Sequence, residues 1–180
     1  MRYKRGLFKF NSRGARAALV AMHQLTTLEG RQVMLDVYNG QLIDLEHDKW
    51  DAEHVFTLLS AWQAGFEGQY LTNREAALKS MKRFANDPRN LWVSGASSNR
   101  SRGAKTIWNW SPLCLTSVPK RNAVVRQLAG DFGLTLTKPQ QWAMDWSDNK
   151  ILVKYKYGIH LGKARAWLIQ NGFYKFLMPF

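Results

Sequence analysis

The stretch Arg31-Gln-Val-Met-Leu-Asp-Val-Tyr-Asn39-Gly40-Gln-Leu-Ile-Asp-Leu-Glu46 decides between an all-helical chain and one that mixes helix with sheet. Two apolar runs flank Asn39-Gly40. That pairing is the strongest short hairpin signal, because a type I′ turn needs positive φ at both central residues. A two-residue loop would set Val37 opposite Leu42 and Leu35 opposite Asp44. The alternative is two helix fragments broken at Asn39-Gly40. With the hairpin, the expected fold is α+β and mainly α. Residues 1–180 would form a single basic domain of short helices with one or two small hairpin or strand elements.

Helix signals surround this stretch. Asn11 or Ser12 can cap a helix from about Arg13 through the Ala/Leu/Met-rich residues 15–28, with Gly30 as its stop. Residues 48–64 read as an amphipathic helix. Trp50, Val55, Leu58, Leu59 and Trp62 fall near helical spacing, and Asp48 and Asp51 sit where the helix dipole favours acids. Gly65 and Gly68 would end it. Thr72 or Asn73 caps a further helix, with Glu75 as a loose capping box, running to about Ala85 and stopping before Asp87-Pro88. Residues 94–105 are small, polar and basic without periodicity, and read as a flexible loop. Pro119 suits the first turn of a helix through Val124, Val125, Leu128 and Ala129, ended by Gly133. Lys138-Pro139 starts a short helix through Trp142. Residues 150–157 read as a strand, and 161–170 as a helix closed by Asn171-Gly172.

Composition narrows the function. The 180 residues hold 26 Lys+Arg against 13 Asp+Glu, a formal net charge of +13. Hydrophobic residues make up 46% and aromatics 13%, which supplies a core and excludes a disordered basic tail. The single cysteine, Cys114, excludes an internal disulfide, and a Cys-based zinc site would need three or four thiolates or several His partners. Its setting in Ser111-Pro-Leu-Cys-Leu is that of a packed small hydrophobe rather than a reactive thiol. No apolar run reaches the roughly 18 residues that span a bilayer. The start Met1-Arg2-Tyr3-Lys4-Arg5 leads into Leu7-Phe8-Lys9-Phe10, interrupted by charge and unlike a signal peptide. The expected location is the cytoplasm, or a virion or nucleoprotein complex. No Gly-rich phosphate loop, nucleophile elbow or dinucleotide fingerprint is present, and no cofactor is expected.

The charge is uneven. Residues 1–28 carry six bases and no acid, while residues 29–68 hold eight of the thirteen acids with only Arg31 and Lys49 against them. Residues 69–130 hold eleven bases against Glu75 and Asp87. Distinct basic faces suit a polyanion, so the expected partner is nucleic acid, DNA ahead of RNA, and not a membrane. A homo-oligomer or a larger nucleoprotein or virion assembly fits the same charge.

Three basic groups are candidate contacts. The first is an N-terminal arm, residues 1–12, with Arg2, Lys4 and Arg5. The second is a loop, residues 94–110, in which Arg100, Arg102 and Lys105 run into Trp108 and Trp110. There the bases would neutralise phosphates, and the indoles would stack on unpaired bases. The plainer reading is a solvated loop anchored by its two Trp. The third is the C-terminal stretch with Lys154, Lys156, Lys163 and Arg165, whose small residues Gly158 and Gly162 give it a helix-turn-helix cadence. Its plainer reading is an ordinary amphipathic helix.

Two acidic sets offer chemistry of another kind. His47, Asp51 and His54 lie at i, i+4 and i+7, which on a helix would be one face able to hold Zn²⁺ or Mn²⁺. Asp36, Asp44, Glu46 and Lys49 loosely match the carboxylate-carboxylate-lysine set of a metal-dependent nuclease. The usual Glu-x-Lys is here Glu-x-x-Lys, which on a strand would turn the lysine to the other face.

Residues 103–141 resemble the C-terminal part of some phage terminase small subunits. The features are a Gly, Trp110-Ser-Pro112, a helix over 121–129, and Phe132-Gly133-Leu134-Thr135 followed by polar residues. Ser111-Pro112 stands where that family often has Asn-Pro, and Leu136 where it has Pro. The resemblance implies a non-enzymatic, oligomeric DNA-recognition component of a packaging machine.

Overall fold

Asn11 opens the first helix as the sequence predicts. Its side chain accepts a hydrogen bond from the Gly14 amide at 3.0 Å, and α1 runs over Ser12–His23. The computed structural model describes residues 3–36, 41–97, 99, 117–142 and 144–145. Helix α1 stops at His23 rather than near 28, because Leu25–Thr26 leaves the helix as strand β1. This strand pairs antiparallel with β2 (Gln32–Leu35). The β-branched Thr26-Thr27 favours extended backbone. Gly30, at φ 82, sits in the turn between the two strands.

The hairpin is present with a different register. Strand β2 pairs with β3 (Leu42–Asp44), placing Leu35 opposite Leu42 and Val33 opposite Asp44. The Asp36 amide adds a bond to the Gln41 carbonyl at 2.8 Å. Asn39-Gly40 lies outside the described residues. A two-residue slip keeps each side chain on its expected face, so Met34 and Ile43 are buried while Leu35 and Leu42 are exposed.

Residues 48–64 depart most from expectation. Residues Trp50–His54 are strand β4, paired antiparallel with β5 (Leu91–Gly95), from Trp50 opposite Gly95 to His54 opposite Leu91. Of the loop expected from 94, Ser94 and Gly95 belong to β5 and Ala96, Ser97 and Asn99 are helical, and residues 98 and 100–110 lie outside the described residues. The extended backbone sends Trp50, Leu91 and Val93 into one apolar cluster and Trp92, with Val55, into another. A helix would have placed its apolar residues on a single face. Asp36, 1% exposed, stitches the two sheets by accepting from the Gly95 amide at 2.9 Å.

Helix begins only at α2 (Leu58–Ala61), capped by the Thr57 hydroxyl, which accepts from the Ser60 amide at 3.1 Å. It passes through a π-turn, Trp62–Phe66, into α3 (Glu67–Thr72), so Gly65 and Gly68 do not end it. Gly65 instead makes a kink at φ 153, and a Cβ there would meet Leu134 Cδ2 at 3.3 Å. Kinks of this kind release carbonyls from the helical ladder. The Thr135 amide donates to the Ala64 carbonyl at 2.8 Å, and Gln140 Nε2 donates to the Ser60 carbonyl at 3.0 Å. The kink is thus the seat for the chain that follows the next long helix.

Helix α4 (Arg74–Ala85) keeps its predicted ends. Asn73 caps it, accepting from the Ala76 amide at 3.1 Å, and it closes before Asp87-Pro88. Helix α5 (Ser117–Asp131) ends at Gly133, φ 60, where Leu134 donates to the Ala129 carbonyl at 2.8 Å and Gly133 to that of Gly130 at 3.2 Å. This pair of bonds is a Schellman closure, which glycine at the left-handed position permits. A short helix at 138–142 and 144–145 is opened by Thr137 and Gln140, each accepting from the other's amide. That reciprocal arrangement is a capping box. The strand expected at 150–157 and the helix at 161–170 lie outside the described residues.

Two apolar clusters hold these elements. Phe8, Phe56, Trp62, Phe66, Met81 and Phe84 centre the larger one, which Leu128 and Leu134 join from α5 and its turn. Ala15 and Leu19 of α1 pack with Met34, Ile43, Trp50, Leu91 and Val93 in the smaller one. The architecture is α+β and mainly α.

Candidate nucleic-acid interface

Residues 3–12 of the amino-terminal arm are part of the fold. A 3-10 turn, Arg5–Phe8, drives Phe8 into the larger cluster, its ring 5.7 Å from Phe66 and 6.4 Å from Phe84. The chain then turns sharply at Lys9, which adopts φ 45 and ψ 50. Asn86, just past α4, grips this corner. Its Oδ1 accepts from the Asn11 amide at 2.9 Å, and its Nδ2 donates to the Lys9 carbonyl at 3.3 Å and to the Lys82 carbonyl at 2.7 Å.

Helix α4 buries Ala77, Met81, Phe84 and Ala85, which leaves Lys79, Lys82 and Arg83 on its exposed face. Spacings of three and four put these cations side by side. Asp87, Arg89, Asp131 and Phe132 lie beside them. Together with Lys9 they line an open groove of about 1040 Å³.

The cations of this groove are not equivalent. Lys79 pairs with Glu75 at 2.9 Å, both side chains largely exposed, and such a pair holds its partners weakly. Arg89 is held by two acids, with Nη2 2.7 Å from Asp87 Oδ2 and Nη1 2.6 Å from Asp131 Oδ2. These bonds raise the Arg89 pKa above its already high value, the Asp87 side chain contributing most. Arg83 lies over the Phe132 ring, 5.7 Å from its centroid. Among the described residues, Lys9, Lys82 and Arg83 make no ion pair with a carboxylate.

The Arg89 side chain, donating to Asp87, holds the Asp87 carboxyl below the usual carboxylate range. A group with a depressed folded pKa stabilises the fold fully above its unfolded value, near 4, and loses that effect as pH falls through the lower folded value. Asp87→Asn should therefore flatten the acid side of the stability profile below about pH 4. Urea midpoints measured across pH check this, and an unchanged acid slope would refute it.

Of the contacts expected from sequence, Lys4 and Arg5 are exposed beside the Phe8 anchor. Arg2, Arg100, Arg102, Lys105, Trp108, Trp110, Lys154, Lys156, Lys163 and Arg165 lie outside the described residues. Sequence reasoning missed Lys9, Lys82 and Arg83. The spacing of Lys79, Lys82 and Arg83 on a correctly bounded helix was the available signal.

Neither acidic set comes together as a metal-holding group among the described residues. His47 lies in a turn and Asp51 and His54 in β4, so the helical face that would have joined them is absent. His54 is buried, its Nε2 donating to the Ala85 carbonyl at 2.9 Å, while Asp51 accepts from Asn99 Nδ2 at 2.9 Å. Asp36 is engaged between the sheets. Asp44 accepts from the Glu46 amide at 2.9 Å and the His47 amide at 3.2 Å. These bonds, the Glu46 amide foremost, hold its carboxyl below the usual range. Glu46 and Lys49 face solvent. Among the described residues, no three His, Cys, Asp or Glu side chains gather as a metal ion would require.

Among the described residues, no helix is long and apolar enough to cross a membrane. No protein-family model, curated protein or solved structure matches this chain.

Proposed function

We propose that the protein binds nucleic acid without turnover, mainly through backbone phosphates. The observation that carries this reading is the open groove in which, among the described residues, Lys9, Lys82 and Arg83 form no ion pair, Arg83 feeling the Asp87 carboxylate only at longer range. A polyanion would relieve their mutual repulsion and release its own counterions. The net charge of +13 favours the same class of partner. The resemblance of residues 103–141 to phage terminase small subunits favours DNA over RNA and a role in DNA recognition or packaging.

Binding to duplex DNA, single-stranded DNA and RNA should be measured across a salt series. Contact with roughly five to eight phosphates would make log K fall with log salt at about 0.9 per phosphate on duplex. A flat response between low and physiological salt would sink the reading. Mg²⁺-dependent nicking of plasmid DNA, lost on changing Asp44 and Glu46 to Ala, would replace it with a nuclease.

A further inference from the structure

We propose that Asn86 is the positioning residue of the basic groove, holding Lys9 in a strained backbone conformation so that Lys9 and Lys82 each serve one phosphate of the bound strand. This rests on the nucleic-acid reading above. Among the described residues Lys9 is the one non-glycine with positive φ. The left-handed region crowds a Cβ against the backbone, and glycine or asparagine is the ordinary occupant at the end of a helical turn. Lys9 is exposed, so core packing does not account for a lysine here. Such a conformation persists only where the surroundings over-determine it.

Asn86 supplies those surroundings. Its side-chain amide uses its oxygen and its nitrogen at once, bonding the Asn11 amide and the Lys9 and Lys82 carbonyls. Its own backbone amide donates to the Arg83 carbonyl at 3.2 Å. The arm and the end of α4 therefore meet on one side chain, and each brings a cation to the same groove. Glycine or asparagine at position 9 would relax the backbone and remove a charge from this wall. A residue that is poor for the fold and suited to an anion is what a stability–function trade-off leaves behind.

The test is Lys9→Asn, which fits the left-handed backbone and removes the charge. Its thermal midpoint should rise. Its affinity for duplex DNA at about 0.1 M salt should fall about eightfold, with the salt slope smaller by about 0.9. Arg31→Gln is the control for net charge, since Arg31 pairs with Glu29 at 2.6 Å in the turn between β1 and β2. It should leave the slope unchanged. Asn86→Ala, with Lys9 intact, should lower the slope as Lys9→Asn does, and combining the two should lower it no further. If Asn86→Ala does not fold, Asn86→Gln takes its place, since it keeps the amide and the charge but displaces the bonds to the Lys9 and Lys82 carbonyls. A folded Asn86 variant with the parent's slope overturns the positioning role. A lower midpoint for Lys9→Asn, or a slope equal to that of Arg31→Gln, overturns the assignment and leaves the nucleic-acid reading standing. A parent protein with a flat salt response overturns both.

Discussion

Phe84→Ala should cost about 3–5 kcal/mol, the usual range for removing a fully buried phenyl ring. A domain of this kind has about 5–15 kcal/mol in all, so a large share of the stability would go. Phe84 is fully buried, and its ring lies 5.5 Å from Phe56, 5.3 Å from Phe66 and 5.3 Å from Phe132. Phe8 stands 6.4 Å away. The arm, the kinked helix, α4 and the turn after α5 thus converge on one side chain. Edge-on ring pairs add about 0.5–1.5 kcal/mol each beyond burial, and a cavity here cannot collapse without moving several elements. Guanidinium unfolding would show a large drop in midpoint with little change in slope, and Phe84→Leu a smaller drop. A loss under about 1 kcal/mol for the alanine variant would mean that the rings do not pack as described.

Elements with local punctuation were legible in the sequence. Asn73 and Asp87-Pro88 bound α4, and Gly133 closes α5, because caps and stops act within a few residues of themselves. The hairpin at 31–46 was legible in kind but not in register, which depends on how the connection between the strands turns. Strand β4 was illegible for a stronger reason. Its apolar residues mimic helical spacing when continued into Leu58 and Trp62, and what fixes it as a strand is β5, far along the chain. Long-range pairing overrides local preference in sheets. The same divide runs through the candidate site. Lys79, Lys82 and Arg83 could be placed together from helix spacing. Lys9 could not, because its place depends on Phe8 entering the core and on Asn86 meeting the chain on either side of Phe10.

Changing Lys9, Lys82 and Arg83 together to Gln should weaken binding to duplex DNA about 500-fold at about 0.1 M salt, if each serves one phosphate. The salt slope should fall by about 2.7, and every sequence should be affected alike, since phosphate contacts carry no base information. Lys82 and Arg83 are exposed on α4, and substitutions of that kind usually move stability by less than about 0.5 kcal/mol. Arg89→Gln should behave in the opposite way. Its guanidinium is already held by Asp87 and Asp131, so its loss should lower stability and leave the slope nearly unchanged. The loop residues Arg100, Arg102 and Lys105 supply the rival contact surface. If the groove variant binds as tightly as the parent while the loop variant does not, the groove is only a solvated face of α4, and the phosphates lie against the loop.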